Sequence, residues 1–129
     1  MQIIGIQVRF DCTDNQQFSA IGEFWNFMSF IYPKEELKGL GLNWANNSFD
    51  YVIGDFEKKF DYSLDIIRKS YPNSKKVVIE LPDHGWKVYS GKIEDIAKIY
   101  ETIYKDGILD YEIEEFDDVG NCKISILRL

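Results

Sequence analysis

The sequence predicts an α+β protein in which two helices pack on a mostly antiparallel sheet. Two stretches, residues 18–31 and 93–104, repeat apolar side chains at three- and four-residue steps, as amphipathic helices do. Around them lie short runs of alternating or β-favouring residues, separated by turn-forming residues. Helices segregated against an antiparallel sheet are typical of the α+β class.

The composition indicates one domain that spans residues 1–129. A chain of 129 residues has the usual length of a single domain, and its 45% of hydrophobic residues argues against disorder. Nine Phe, eight Tyr and three Trp make an aromatic share of 16%. These aromatic residues either line a cavity or enlarge the core, and the sequence leaves both possibilities open.

Charge and cysteine content exclude several kinds of protein. The formal net charge is −7, with 22 acidic and 15 basic residues and no long basic cluster, so direct binding to nucleic acid is not expected. Cys12 and Cys122 form no zinc-binding pattern, and no cofactor is predicted. The N-terminus lacks the pattern of a secretory leader, and no run is long enough to span a membrane. We therefore expect a cytoplasmic protein.

The first half reads as strand, helix, strand, strand. Residues 3–10 alternate as a strand, and the helix of residues 18–31 follows and ends before Pro33. Two further strands are predicted at 39–45 and 49–57. The next segment, residues 60–67, could extend the sheet or form an irregular crossing.

The second half repeats this order. Strands at 77–81 and 86–89 flank a turn at residues 82–85, and the helix of residues 93–104 comes next. Acidic residues early in this helix and Lys105 directly after it suit the helix dipole. A terminal hairpin is predicted from strands at 110–116 and 122–129.

Five short segments match, in order and spacing, the motifs of one known domain family. They are Ile21 to Met28, residues 49–54 (FDYVIG), Leu81-Pro82, Trp86 to Tyr89 with Gly91, and Tyr100 to Tyr104. Together they resemble the GyrI-like, AraC-type effector-binding domain, the ligand-binding module of multidrug-responsive bacterial regulators. The resemblance covers nearly the whole chain. It implies a tandem βαββ repeat with pseudo-two-fold symmetry.

The resemblance also implies a function, the binding of a small hydrophobic or aromatic ligand between the two repeats. Regulators of the family fuse this module to a helix-turn-helix domain. Here the module occupies the chain, so a role in transcription regulation would need a separate DNA-binding partner. Two alternatives stay open. One is a protein-binding inhibitor, as in the gyrase inhibition that names the family, and the other is a hydrolase of toxic electrophiles.

The resemblance assigns ligand binding mainly to aromatic residues. They are Trp25, Tyr51, Trp86, Tyr89, Tyr100 and Tyr104. Trp25 matches the tryptophan of the family's first helix, which borders the ligand cavity. Trp86 and Tyr89 lie three residues apart in one predicted strand, so their side chains face opposite sides and cannot both line one pocket.

The last strand departs from the family pattern. Members that bind lipophilic cations carry a glutamate and a tyrosine there, whereas this chain has Lys123 and Ser125, which become candidate ligand-binding residues. A lysine would repel a cation. Either the ligand is neutral or anionic, or another acid such as Glu80, Glu112 or Glu114 replaces the missing glutamate.

No catalytic motif stands out in the sequence. His84, the only histidine, lies in a turn without a nucleophile nearby in sequence, and Glu80 is expected on a solvated strand face. Gly39 and Gly41 form a lone GxG without the context of a phosphate-binding loop. A binding protein is therefore predicted rather than an enzyme.

Overall fold

The computed structural model describes residues 1–11 and 17–129 and confirms the α+β class. Within this part lie seven strands: β1 (Gln2–Asp11), β2 (Lys38–Leu42), β3 (Ser48–Asp55), β4 (Lys75–Glu80), β5 (Lys87–Lys92), β6 (Tyr111–Phe116) and β7 (Asn121–Leu127). The helices of this part are α1 (Gln17–Ile31), α2 (Leu64–Ser70) and α3 (Ile96–Lys105), with 3₁₀ turns at Lys34–Glu36 and Ile93–Asp95. Cys12 lies outside the described residues.

All seven strands belong to one sheet, in the order β4-β1-β3-β2-β6-β7-β5, and every neighbouring pair is antiparallel. The predicted terminal hairpin is confirmed as the β6–β7 pair. Of the helices in the described ranges, none is long and apolar enough to cross a membrane. The centre of the sheet is the β2–β6 pair, which joins the two halves of the chain.

The predicted strands on either side of the turn at residues 82–85 are not neighbours, because β4 and β5 form opposite edges of the sheet. Six strand spacings of about 4.8 Å would make a flat sheet about 29 Å wide. The connection from Glu80 to Lys87 can span at most about 24 Å. The sheet must therefore curl. Where the chain leaves the β4 edge, the Leu81 amide donates a hydrogen bond to the carbonyl of Met1.

The curled sheet buries apolar side chains on both faces. The inner face packs around a cluster that includes Ile3, Leu40, Val52, Leu81 and Ile113. The outer face carries the helices over a larger core. Its buried members include Ile6, Phe49 and Tyr51 of the sheet with Phe24, Met28 and Ile67 of α1 and α2, and Ile124 and Ile126 of the sheet with Tyr100 and Ile103 of α3.

Residues 60–67 were predicted to extend the sheet or to form an irregular crossing; residues 60–63 do lack regular structure, but a helix begins at Leu64. This segment leads into α2, a short helix whose Ile67 is fully buried, while Tyr62 and Leu64 pack into the same core. Tyr62 also donates a 2.6 Å hydrogen bond to the buried Asp55 carboxylate. A helix of seven residues shows too few turns for its periodicity to be recognised, and tertiary packing stabilises it.

Candidate functional site

A cleft of about 1100 Å³ separates α1 from α3 on the outer face of the sheet. Its walls come mainly from the facing sides of the two helices, with Trp25 on α1 and Tyr100 and Tyr104 on α3. Its floor includes Glu112 and Glu114 of β6. The predicted apolar stripes of both helices thus cover the core and also line this opening.

The central strand β2 presents glycines to the side of the sheet that carries the helices. Leu40 and Leu42 of β2 point to the inner face, so Gly39 and Gly41 occupy the outer face of this central strand. Gly39 lies opposite Glu114 and Gly41 opposite Glu112 in the β2–β6 register. Side chains from β3 and β6 can therefore meet above β2.

Aromatic rings form most of the wall surface. The Trp25 ring meets the Phe116 ring edge-on with centroids 5.0 Å apart, and Tyr100 stacks on Tyr104 at 5.6 Å. Phe18 extends the aromatic surface from Tyr100 towards the solvent. Such walls offer both apolar contact and ring faces that attract cations.

Two buried carboxylates stand at the base of the cleft, two residues apart on one face of β6. Glu114 is 8% exposed and accepts a 2.5 Å hydrogen bond from the Tyr51 hydroxyl, which itself accepts one of 2.8 Å from the Trp25 indole. Glu112 is 6% exposed and accepts a 2.8 Å hydrogen bond from Tyr100. The Tyr104 hydroxyl lies 3.5 Å from its other oxygen.

Burial makes both carboxylates reluctant to ionise. It raises the pKa of Glu112 to about 8, with the Glu114 charge adding to the effect and the tyrosine hydrogen bonds opposing it. Burial also raises the pKa of Glu114, against the hydrogen bond from Tyr51. Burial and the Glu114 charge raise the pKa of the Tyr51 phenol well above its usual value, so Tyr51 remains a donor. At neutral pH Glu112 is therefore largely protonated.

Basic groups do not neutralise this pair. Among the described residues, the ion pairs with N···O distances up to 4.0 Å include neither Glu112 nor Glu114. Lys34 reaches the cleft, but its ammonium lies 4.9 Å from the centre of the Phe116 ring. The base of the cleft is thus an acidic site inside aromatic walls.

The predicted ligand-binding residues fall into three groups. Trp25, Tyr100 and Tyr104 line the cleft, and Tyr51 lies beneath Trp25 in the hydrogen-bonded network. Tyr89 packs among the apolar residues under α3.

Like Tyr89, the remaining three do not line the cleft. Trp86 packs against the inner-face cluster, which confirms that it and Tyr89 face opposite sides. Ser125 lies opposite Ile113 of the inner face, and Lys123 forms an ion pair of 3.5 Å with Glu115. Alternation along β6 and β7 places these two side chains on the face away from α3.

Two further predictions concern exposed residues. His84 is exposed in its turn, and Glu80 is exposed on the edge strand β4, where it accepts a hydrogen bond from Gln2. Both positions agree with the interpretation that neither residue belongs to a buried site.

The residues that sequence reasoning missed are Gly39 and Gly41, and it named Glu112 and Glu114 only as substitutes. A signal existed, because glycine inside a strand marks a close approach by another group. The run DYEIEEF also places Glu112 and Glu114 on one face by alternation.

A scan against models of known protein families and a search of curated proteins both find no match for this chain. The resemblance to the GyrI-like domain therefore stays a prediction.

Tyr51→Phe should lower the free energy of unfolding by about 1–3 kcal/mol, because it strips a buried indole N–H and a buried carboxylate of their shared partner. The loss should be larger at pH 8 than at pH 5, since without its donor the ionised form of Glu114 is harder to bury. Urea unfolding at both pH values measures this. Tyr111→Phe, on the inner face of the same sheet, is the control, and an equal loss in the two variants would contradict the network.

Proposed function

We propose that this protein is a small-molecule-binding domain whose ligand is an aromatic or lipophilic organic cation. The observation that carries the proposal is the cleft between α1 and α3, which combines aromatic walls with two buried carboxylates at its base. Ligand sites are typically concave and mostly apolar, with a few placed polar groups. A bound cation is attracted both by the faces of the aromatic rings and by the carboxylates.

The carboxylates of Glu112 and Glu114 at the base of the cleft bear on the last strand, where Lys123 stands in place of the family's glutamate. Lys123 points away from the cleft and pairs with Glu115, so it would not repel a bound cation. Glu114 and Glu112 supply negative charge from the neighbouring strand β6. Of the two alternatives left open by the sequence, these positions favour replacement of the missing glutamate by acids of β6.

We extend the proposal to the family and its tandem βαββ repeat. The element order supports it, since β1-α1-β2-β3 is followed, after α2 and β4, by β5-α3-β6-β7. The sheet order also mirrors itself about the β2–β6 pair, as β1-β3-β2 and β6-β7-β5. A cytoplasmic ligand sensor without direct nucleic-acid contact follows from this proposal. A basic protein partner is the alternative that the net charge of −7 would suit.

Filling the cleft at Gly22 should abolish ligand binding without unfolding the protein. A Cβ built on Gly22 meets no atom within 4 Å, so Gly22→Trp projects a ring into the cleft, whereas Gly22→Ala only adds a helix-favouring methyl group. For the wild type, a cationic ligand at about 100 times its Kd should raise the Tm by roughly 10 °C.

A thermal-shift screen of aromatic cations and their neutral analogues measures this. Gly22→Ala should retain the ligand-induced rise and Gly22→Trp should lose it. A library without any hit, or an equal rise in Gly22→Trp, would contradict a ligand site in this cleft.

Hydrolysis of a strained electrophile is the second candidate, and the carboxylate pair favours it. One carboxylate of the pair can accept a proton from water while the protonated partner donates one to the opening ring oxygen, so that water adds across the C–O bond. Incubation with an aromatic epoxide should then yield the diol, and Glu114→Gln should not. Absence of turnover in the wild type would retire this candidate and leave the binding proposal intact.

A further inference from the structure

The Glu112–Glu114 pair has an arrangement that a simple cation site does not require. One carboxylate would offset the charge of one monovalent ligand, yet the cleft buries two on the same face of β6. Alternate residues of a strand face lie roughly 7 Å apart, and two buried negative charges at that separation repel strongly. The empty site therefore favours a state in which one of the two is neutral.

The groups that face the pair supply hydrogen bonds but little charge. From β3, Tyr51 donates to Glu114, and from α3, Tyr100 and Tyr104 approach Glu112. On β7, Ile124 and Ile126 lie directly opposite in register, and β2 presents only its two glycines. Among the described residues, the other titratable groups near the pair are Glu101 and Lys34 along the cleft and the buried Cys122 thiol, whose pKa is raised by burial and then by the Glu114 charge.

We infer that the Glu112–Glu114 pair holds one proton when the cleft is empty and releases it to solvent when a monovalent organic cation binds, so the cleft exchanges a proton for its ligand. This inference rests on the proposed function. The ionised oxygens attract the positive charge of the ligand. The carboxyl O–H bond breaks, and its proton passes to the buffer. Net charge inside the cleft is conserved in the exchange.

The physical reason is that the cation and the proton compete for the same buried negative charge. In the empty cleft, burial and the neighbouring carboxylate raise the pKa of Glu112 to about 8, so Glu112 largely keeps its proton at pH 7. A bound cation offsets the Glu114 charge and attracts the Glu112 carboxylate directly, which lowers that pKa. By linkage, the affinity for the cation must then rise with pH until the empty pair is doubly ionised.

Calorimetric titration with tetraphenylphosphonium tests the inference, because this cation has no titratable proton of its own. Titrations at pH 7 in phosphate and in Tris, whose ionisation enthalpies differ, give the number of protons released per ligand. We expect about half to one proton, and an affinity that rises up to about tenfold per pH unit between pH 6 and pH 8. Triphenylphosphine oxide, which is neutral, should bind without proton release.

Glu112→Gln provides the second readout, since glutamine resembles the protonated carboxyl and cannot titrate. This variant should bind the cation more weakly than the wild type at pH 8, because one of the two carboxylates is gone, and its proton release and pH dependence should both be strongly reduced. Cation binding by the wild type without proton release would overturn the exchange and leave the proposed function standing. Undiminished release from Glu112→Gln would also overturn it. Failure of both probes to bind at any pH would instead overturn the proposed function.

Discussion

Glu112→Gln should make the protein more stable than the wild type at pH 8 and change its stability little at pH 5. The folded-state pKa of Glu112 is raised to about 8 from an ordinary 4.5, mainly by burial. Its contribution to stability is therefore fully present below pH 4.5 and is lost as the pH rises to 8. Glutamine accepts the same hydrogen bond from Tyr100 but does not ionise in either state.

The free energy of unfolding of Glu112→Gln should exceed that of the wild type by roughly 1 kcal/mol more for each pH unit above about pH 4.5, and by a few kcal/mol at pH 8. Urea unfolding at pH 5, 6, 7 and 8 measures it as the free energy of unfolding. If the difference in unfolding free energy between the variant and the wild type is the same at all four pH values, Glu112 is ionised in the folded protein throughout.

Glu115→Gln is the matched control for this experiment. Glu115 lies in the same strand and loses the same charge, but it sits on the other face in ion pairs with Lys38 and Lys123. Removing these partly exposed ion pairs should cost about 1 kcal/mol or less, with little change between pH 5 and pH 8. If both variants show the same pH profile, net charge rather than the buried pair explains the effect.

The fold class and most elements were predictable because they depend on local periodicity. Apolar side chains of α1 and α3 recur on one face, and β6 and β7 alternate around a short turn, so each pattern reflects a face that the fold buries. Strand order was not predictable in the same way. Which strands pair depends on contacts between distant segments, and no local pattern in residues 75–92 shows that β4 and β5 lie at opposite edges.

The site was predictable only in part, for a similar reason. Trp25, Tyr100 and Tyr104 lie on apolar helix faces, which must meet either the sheet or a cavity. Glu112 and Glu114 alternate with apolar residues, as side chains on a solvated face do, and only the position of β6 beneath α3 buries them. Lys123 and Ser125 were matched to a motif by position, although alternation in β7 directs them away from the helices.

The role of β2 could be recognised only from the structure. Gly39→Ala tests this role, and we expect it to lower the free energy of unfolding by about 3 kcal/mol or more. Tyr51 starts on β3, and its ring crosses above β2 to reach Glu114 on β6. A Cβ at position 39 would overlap the Tyr51 hydroxyl and lie 2.7 Å from Tyr51 Cζ and 2.8 Å from Trp25 Cζ2. Both rings are buried, so neither can move aside without breaking the network.

Urea unfolding of Gly39→Ala against Gly41→Ala measures the effect at matched positions of one strand. The Cβ at position 41 would lie 3.0 Å from the half-buried Trp44 ring and 3.9 Å from Glu112 Cβ, so it needs a shift of only a few tenths of an ångström. Equal losses of unfolding free energy in the two variants would contradict the path of the Tyr51 ring above β2. In the Tyr51→Phe background, Gly39→Ala should cost less than in the wild type, because the hydroxyl that the new methyl group overlaps most is gone. That coupling would show that Gly39 is required by the path of Tyr51 to the carboxylate rather than by the backbone of β2.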